Sequence, residues 1–324
     1  YFVHYGSEDG LPQHTVTHIL QDSKGFMWFS TWDGLSKFDG YTFTTYHLPP
    51  GQYESRSSRV DRLYEDKYNN IWVLSYDNRA YRFNVDTESF MGTNSVEPYK
   101  DKNYYVSQII STGSGKVWLL SEKEGCILIM DSLFNAEVYS THDHNLTGDF
   151  VHTVHEDTYR NSWILTDKGL TFLPADGTGP LFYFHALSDS RLKEETPFFS
   201  VMESGNELWF GSSEGVVWVY DQNRGTFEEF STGLASDIIS IQEISSEKIL
   251  LLSNHSGFVI YTTHDGNMDM YNYKTLPAMH FDEIMAAYID SSKNIWLETD
   301  RQGVSKFNPY TGKYIHYTPY VESA

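Results

Sequence analysis

The feature that most constrains the fold of this chain is a short Trp-centred segment that recurs at a nearly constant interval. Its first copy is Met27-Trp28-Phe29-Ser30-Thr31, and its central position recurs six times, 41 to 46 residues apart. The seven central residues are Trp28, Trp72, Trp118, Trp163, Trp209, Leu250 and Trp296. A period of about 40 to 45 residues, with four short β-rich runs in each period, is typical of the blades of a β-propeller.

Two further features keep phase with this segment and predict the turns between the strands. An Asp stands six residues before the Trp in four copies, and its short side chain can bond backbone amides two residues on and so hold a tight turn. A Gly follows the central position by six or seven residues in six copies, whereas the second copy has Asn78-Arg79 there. The aspartates are Asp22, Asp66, Asp157 and Asp290, and the glycines are Gly34, Gly125, Gly169, Gly215, Gly257 and Gly303. We therefore predict an all-β fold in which residues 1–324 form a single seven-bladed β-propeller with four antiparallel strands per blade.

Both ends of the chain carry a run that looks like the last strand of a repeat, at residues 1–5 and 313–317. Closing a ring by pairing the two ends would remove exposed sheet edges. Two arrangements stay open from the sequence. Either both runs lie in the last blade, or the C-terminal run leads towards a further unit.

The connections between repeats indicate which face of the propeller binds. They are longer and more varied than the turns between the first and second strands. In a four-stranded up-and-down blade they share a face with the turns between the second and third strands. Because variable loops on a rigid scaffold are where binding residues concentrate, this variable face is the predicted binding surface.

The charge balance restricts the kinds of partner. The chain has 44 acidic and 23 basic side chains and a formal net charge of −21. Nucleic-acid binding depends on Lys and Arg to neutralise phosphates, so nucleic acid is not expected as a partner, nor is direct contact with an anionic membrane surface. The single cysteine, Cys126, lies in an apolar run and is expected to be a buried, inert thiol.

The repeat resembles a known family. The residues that carry the likeness are Asp22-x-x-Gly25-x-x-Trp28-x-x-Thr31-x-x-Gly34-Leu35-x-x-Phe38-Asp39, together with the opening Gly10-Leu11-Pro12-x-x-x-Val16. This pattern is similar to the two-component regulator propeller repeat, which occurs in the periplasmic sensing region of hybrid two-component proteins from polysaccharide-degrading gut bacteria. The resemblance implies a ligand-sensing, extracytoplasmic propeller of an inner-membrane sensor, with an oligosaccharide as ligand.

The resemblance also implies partners. In that family two propellers are usually followed by a small β-sandwich, a membrane helix, a histidine kinase and often a response regulator. This chain would then be the first propeller only, and the kinase, receiver and DNA-binding modules would lie outside it. The implied partners are the second propeller and the downstream modules of the same protein, and a second copy in a homodimeric receptor.

The sequence predicts neither a metal or other cofactor nor a catalytic centre. The densest His group, His142-Asp143-His144 with His152 and His155, matches no zinc-ligand spacing. No Gly-rich phosphate loop, Cys nucleophile or nucleophile-elbow motif is present. One alternative is a propeller hydrolase or lyase that uses a channel carboxylate such as Asp61, and another is a scaffold that binds proteins and no sugar.

Candidate ligand-binding residues are those that break the repeat on the variable face, since a residue that every blade carries is needed for packing or turns. Aromatic planes beside Arg or Asp suit carbohydrate, through stacking and bidentate hydrogen bonds. The alternative for each residue is ordinary loop polarity. The candidates are Trp32, Asp33, Tyr53, Arg56, Arg59, Tyr76, Arg79 and Arg301.

Overall fold

The computed structural model consists of short antiparallel strands, with 3₁₀ turns at Ser7–Asp9 and Ser213–Gly215. It describes residues 5–49, 58–93, 104–121, 125–133, 135–140, 146–183, 195–279, 283–299 and 303–317. The chain divides into two compact units, Tyr1–Trp163 with Phe172–Leu181, and Ile164–Thr171 with Phe182–Ala324. The division between the two units falls within the fourth sheet.

The first three sheets belong to the first unit, and each is a meander of four consecutive strands. The strands of the first sheet are β1 (Val16–Gln21), β2 (Met27–Thr31), β3 (Gly34–Phe38) and β4 (Phe43–Tyr46). Those of the second are β5 (Val60–Glu65), β6 (Ile71–Ser75), β7 (Ala80–Asn84) and β8 (Ser89–Gly92). Those of the third are β9 (Gln108–Ser111), β10 (Val117–Ser121), β11 (Cys126–Met130) and β12 (Ala136–Ser140).

The remaining sheets follow the same order. The fourth consists of β13 (Val151–Glu156), β14 (Ser162–Thr166), β15 (Gly169–Leu173) and β16 (Leu181–Tyr183). The fifth consists of β17 (Phe198–Ser204), β18 (Glu207–Ser212), β19 (Val216–Asp221) and β20 (Thr226–Ser231). The sixth consists of β21 (Ile238–Ser245), β22 (Lys248–Ser253), β23 (Phe258–Thr262) and β24 (Met268–Tyr271). The seventh consists of β25 (Ala286–Ile289), β26 (Ile295–Thr299), β27 (Gly303–Phe307) and β28 (Tyr314–Tyr317). The predicted seven blades of four antiparallel strands are confirmed.

The C-terminal run forms the last strand of the seventh sheet, where β28 pairs with β27. The matching N-terminal run lies outside the described residues except for Tyr5. The Tyr5 ring packs on the first sheet, with its centroid 5.1 Å from that of Phe38 and 5.8 Å from that of Phe43.

The hydrophobic core lies between neighbouring sheets. In the first unit, one cluster joins the first and second sheets around Trp28 and Phe83, and another joins the second and third around Trp72 and Leu119. In the second unit, comparable clusters join the fifth to the sixth sheet and the sixth to the seventh. Each large aromatic ring buried in this way contributes about 1.5–3 kcal/mol to stability, which explains why the central Trp recurs.

The repeated Asp does more than hold its turn. As predicted, Asp22 Oδ1 accepts a hydrogen bond from the amide of Lys24, two residues on, at 3.0 Å. Its other oxygen, Oδ2, accepts one from the buried indole Nε1 of Trp28 at 2.8 Å. The same carboxylate–indole bond, at 3.0 Å each time, joins Asp66 to Trp72, Asp157 to Trp163 and Asp290 to Trp296.

The other three copies depart from this pair in different ways. In the fifth sheet the indole Nε1 of Trp209 donates instead to Glu207 Oε2, at 3.1 Å. In the sixth sheet both partners are apolar, and Ile244 and Leu250 are fully buried. In the third sheet Thr112 stands where the Asp would be, and the indole Nε1 of Trp118 is buried without a hydrogen-bond partner. The apolar replacement leaves no polar group unsatisfied, whereas the Thr112 copy leaves one.

The glycine after the second strand is required by a close approach between backbones. Gly257 has φ +83°, and a Cβ there would lie 2.2 Å from the carbonyl oxygen of Tyr271. The second copy lacks this glycine, and Asn78 takes the left-handed conformation instead, with φ 59°. Asn tolerates this region better than most residues, so the predicted exception in the pattern has a conformational reason.

Candidate ligand-binding site

Three of the predicted residues come together in the first unit. The guanidinium carbon of Arg59 lies 4.2 Å from the ring centroid of Tyr76 and 5.0 Å from that of Trp32. Trp32 belongs to the turn between β2 and β3, Arg59 precedes β5, and Tyr76 belongs to the turn between β6 and β7. The arginine therefore contacts two aromatic rings, each within the range of a cation–π interaction. We call these three side chains the arginine–aromatic cluster.

Arg59 is fixed by its own strand as well as by the rings. Its Nε donates a hydrogen bond of 2.9 Å to Asp61 Oδ1, and its carbonyl oxygen accepts one of 3.1 Å from the amide of Tyr76. Side chains at positions i and i+2 of an extended chain point to the same side. The spacing of Arg59 and Asp61 in the sequence is therefore enough to indicate this ion pair, which the sequence analysis did not predict. Asp61, considered above as a channel carboxylate, is the partner of Arg59.

The turn that carries Trp32 is held by polar contacts that leave the indole exposed. Thr31 Oγ1 accepts a hydrogen bond from the Asp33 amide at 3.1 Å and donates one to the Gly34 carbonyl at 3.0 Å. The corresponding Thr166 makes the same two contacts in the fourth sheet, with Lys168 and Gly169. The turn geometry thus belongs to the repeat, whereas the Trp32 side chain is specific to this copy.

The other described candidates have their own partners. Asp33 Oδ1 lies 3.7 Å from His47 Nδ1, and Arg79 Nε lies 3.1 Å from Asp77 Oδ2. Beside this second pair, burial and the Asp77 charge raise the pKa of Tyr81 despite the nearby Arg79. Tyr53, Arg56 and Arg301 lie outside the described residues.

The arginine–aromatic cluster offers flat apolar surface next to fixed polar groups. Trp32 is 47% exposed and Tyr76 is 59% exposed, whereas four of the repeated tryptophans are almost completely buried. Exposed aromatic planes with a few fixed polar groups at their edge are suited to a ring that is apolar on its face and hydroxylated at its rim. A sugar ring has this character.

The described residues include no metal-binding cluster, and the serine of their Ser305–His316 pair is buried. Within them, no group of three or more His, Cys, Asp or Glu side chains is placed to hold a metal, and the loop with His142, Asp143 and His144 lies outside them. Ser305 Oγ lies 2.9 Å from His316 Nδ1, but Ser305 is fully buried and so cannot reach a substrate. Across the described ranges, no helix has the length and apolar character to cross a membrane.

Comparison with known families matches residues 10–33 to the two-component regulator propeller. These residues include Gly10-Leu11-Pro12 and the first Trp-centred segment. A 42-residue stretch is 52% identical to histidine kinase P4 of Formosa agariphila, which covers 13% of this chain and 3% of that kinase. The matched stretch is thus a small part of a much longer protein.

Solved structures are similar over most of the chain. The extracellular domain of a hybrid two-component system from B. thetaiotaomicron is 24% identical, with a TM-score of 0.57 over 92% of this chain and 40% of that domain. Virginiamycin B lyase from Staphylococcus aureus is 12% identical, with a TM-score of 0.53 over 88% of this chain and 91% of the enzyme. This chain therefore spans less than half of the sensor domain, and at such identities the likenesses establish the fold alone. The seven four-stranded sheets show that the chain is a seven-bladed β-propeller, and the match at residues 10–33 agrees with the resemblance of its first repeat to the two-component regulator propeller.

Proposed function

We propose that this propeller is the ligand-sensing, extracytoplasmic part of a hybrid two-component sensor and that it recognises an oligosaccharide at the arginine–aromatic cluster. The observation that carries the proposal is the contact of Arg59 with two exposed rings, Trp32 and Tyr76, at positions that break the repeat. A sugar would stack on the exposed rings and receive hydrogen bonds from polar groups beside them.

The family and the structural likeness support the sensor role. The repeat matched at residues 10–33 is the two-component regulator propeller, and a similar structure is an extracellular domain of a hybrid two-component system. In this proposal the chain lies in the periplasm, as part of an inner-membrane protein. Its partners are a second propeller and the downstream modules of the same protein, in a homodimeric receptor.

The signal in this proposal is a shift between two arrangements of the sensor. A ligand can shift such an equilibrium only by its difference in affinity for the two arrangements. The propeller itself performs no chemistry, and the kinase activity resides in the part of the protein that follows. A saccharide that stabilised the isolated domain but left kinase output of the full receptor unchanged would contradict this mechanism.

The binding proposal is tested by thermal unfolding of the domain against plant, host and microbial oligosaccharides, with product analysis of each mixture. A ligand at 100 times its dissociation constant adds about 2.7 kcal/mol of stability, which corresponds to a shift of a few degrees for a chain of this length. We expect a shift with one class of saccharide and no new products. Trp32→Ala and Tyr76→Ala should each abolish most of the shift.

Tyr41→Ala is the matched control, because Tyr41 is a 92% exposed aromatic side chain in the same unit, in the turn between β3 and β4. It should leave the shift unchanged. Product formation would favour the hydrolase or lyase alternative. A shift that survives both cluster substitutions would place the ligand elsewhere, and no shift with any saccharide would favour the scaffold alternative.

A further inference from the structure

The second unit contains a cleft of about 500 Å³ that the arginine–aromatic cluster does not use. Three chain segments next to the sixth sheet form the walls of this cleft. The first is the connection before β21, which contains Leu234. The second is the turn between β22 and β23, which contains His255 and Ser256. The third is the end of β24 together with the residues after it, which include Tyr273 and Lys274. These are inter-blade connections and a second-to-third-strand turn, the two classes of loop that the sequence assigns to the variable face.

The charge of this cleft differs from that of the chain. Its ten lining residues, all within the described part of the chain, include Lys274 and His255 but neither Asp nor Glu. The chain as a whole has a net charge of −21. A carboxylate, Glu283, lies 3.9 Å from His255 but outside the lining. At physiological ionic strength charges act over about 8 Å, so the local cation matters more to a bound ligand than the distant negative charge.

The cleft walls are fixed by local hydrogen bonds. The Ser256 hydroxyl lies 3.3 Å from the amide of Ala235, from which it accepts a hydrogen bond, and 2.9 Å from the Ser236 hydroxyl. On the other wall, Asn272 Oδ1 accepts hydrogen bonds from the amides of Lys274 and Thr275, at 3.0 and 3.1 Å. The loop that carries Tyr273 and Lys274 is therefore shaped before any ligand arrives, which lowers the entropic cost of binding.

Tyr273 and Lys274 supply the recognition chemistry. Tyr273 is 51% exposed, and the Lys274 ammonium lies 5.5 Å from the centroid of its ring. Hydroxyl and amide groups of Ser256, Asn272 and Thr275 line the same space. The cleft thus combines an exposed aromatic ring, one adjacent ammonium and several neutral polar groups. A sugar ring that carries a carboxylate complements all three.

We propose that this cleft is a second binding site, specific for an acidic saccharide such as an oligomer of a hexuronic acid. The carboxylate pairs with the Lys274 ammonium, the sugar ring lies against Tyr273, and the polar wall groups bond the sugar hydroxyls. The proposal takes only its class of ligand, a saccharide, from the proposed function. It does not depend on the arginine–aromatic cluster or on signalling.

The test is calorimetric titration of the domain with trigalacturonic acid and with its fully methyl-esterified form, which keeps the sugar rings and loses the charges. We expect the acid to bind at least several-fold more tightly than the ester. Lys274→Gln should weaken binding of the acid by about fivefold, as for an exposed ion pair, and leave the ester unaffected. Tyr273→Ala should weaken both ligands by up to about tenfold.

Lys313→Gln is the control, because Lys313 is an exposed lysine of the same unit, in the turn before β28. It should not change the affinity for either ligand. Equal binding of the acid and the ester, or an affinity for the acid that Lys274→Gln leaves unchanged, would overturn the proposal. Titrating Trp32→Ala in parallel separates the two sites. If a neutral saccharide loses affinity in Trp32→Ala while the acid binds Lys274→Gln unchanged, only this inference is overturned. If the acid loses affinity in Lys274→Gln while no neutral saccharide depends on Trp32, only the proposed function is overturned.

Discussion

Glu156 and Ser114, 42 residues apart in the chain, are joined by two hydrogen bonds between neighbouring sheets. The amide of Ser114 donates to Glu156 Oε1 at 2.7 Å, and the Ser114 hydroxyl donates to Oε2. Glu65 makes the same two kinds of contact with Ser23, also 42 residues away, at 2.8 to 3.0 Å. A Glu at the end of one sheet's first strand thus caps the first turn of the preceding sheet.

We expect Glu156→Gln to lower the free energy of unfolding by about 1–2 kcal/mol, because hydrogen bonds to a charged acceptor are stronger than those to a neutral one. Although burial disfavours its ionisation, the bonds from Ser114 and Arg160 hold the pKa of Glu156 below its usual 4.5. The contribution is therefore present above about pH 4.5 and is lost as the pH falls below it. Urea unfolding at pH 7 measures the effect. Glu137→Gln, at an exposed position on β12, is the control and should be near neutral.

The unsatisfied indole of Trp118 predicts a stabilising substitution. Thr112→Asp supplies the carboxylate that the other repeats use, and it should raise the free energy of unfolding by about 1 kcal/mol. The nearby Glu156 does not forbid this, since Asp22 and Glu65 flank Ser23 in the same way in the first sheet. The measurement is the free energy of urea unfolding of Thr112→Asp compared with that of Thr112→Ser. Serine is the control because it supplies no carboxylate for the Trp118 indole. Equal stability of the two variants would show that the Trp118 indole is satisfied in some other way.

The Asp290–Trp296 pair also makes stability depend on pH. Hydrogen bonds from Trp296 and then Asn294 lower the pKa of Asp290 from 3.8 to about 2. A carboxyl whose pKa is lowered in the folded state stabilises the fold above its unfolded pKa and stops doing so below its folded pKa. Thermal midpoints should thus fall between about pH 4 and pH 2, and Asp290→Asn should flatten that part of the curve. Asp269→Asn, at an exposed position on β24, should leave the slope as in the wild type.

The close backbone contact at Gly257 can be separated from its conformation. Gly257→Ala should cost about 3 kcal/mol, which combines the left-handed backbone with a clash against the Tyr271 carbonyl. Gly266→Ala is the matched control in the same sheet. The φ of Gly266 is +71°, and the atom nearest to a Cβ added there would be Tyr261 Oη, at 3.8 Å. That variant should lose about 1 kcal/mol in urea unfolding. Equal losses would mean that the chain moves aside at Gly257.

The fold could be predicted from the sequence because seven phased copies of one unit average out local exceptions such as Leu250 and Asn78. Trp32, Arg59 and Tyr76 were predicted because they break the repeat on one face. Spacing shows which residues share a position, but it does not show which atoms meet, so it predicts the turn at Asp22 and not the hydrogen bond between Asp22 and Trp28. The Glu–Ser contacts were missed although Glu precedes the repeated Asp at positions 65 and 156.

Backbone hydrogen bonds tie the turn that carries Tyr76 to the strands on either side of it. The Tyr76 amide donates to Arg59, and the Asn78 carbonyl accepts from the Val106 amide at 2.7 Å, just before β9. A bound ligand that stabilises this turn should slow deuterium exchange at the Tyr76 and Val106 amides. The Val106 side chain is almost fully buried even without a ligand. If the arginine–aromatic cluster binds a ligand as proposed, the Tyr76 and Val106 amides would report its occupancy without an added fluorophore.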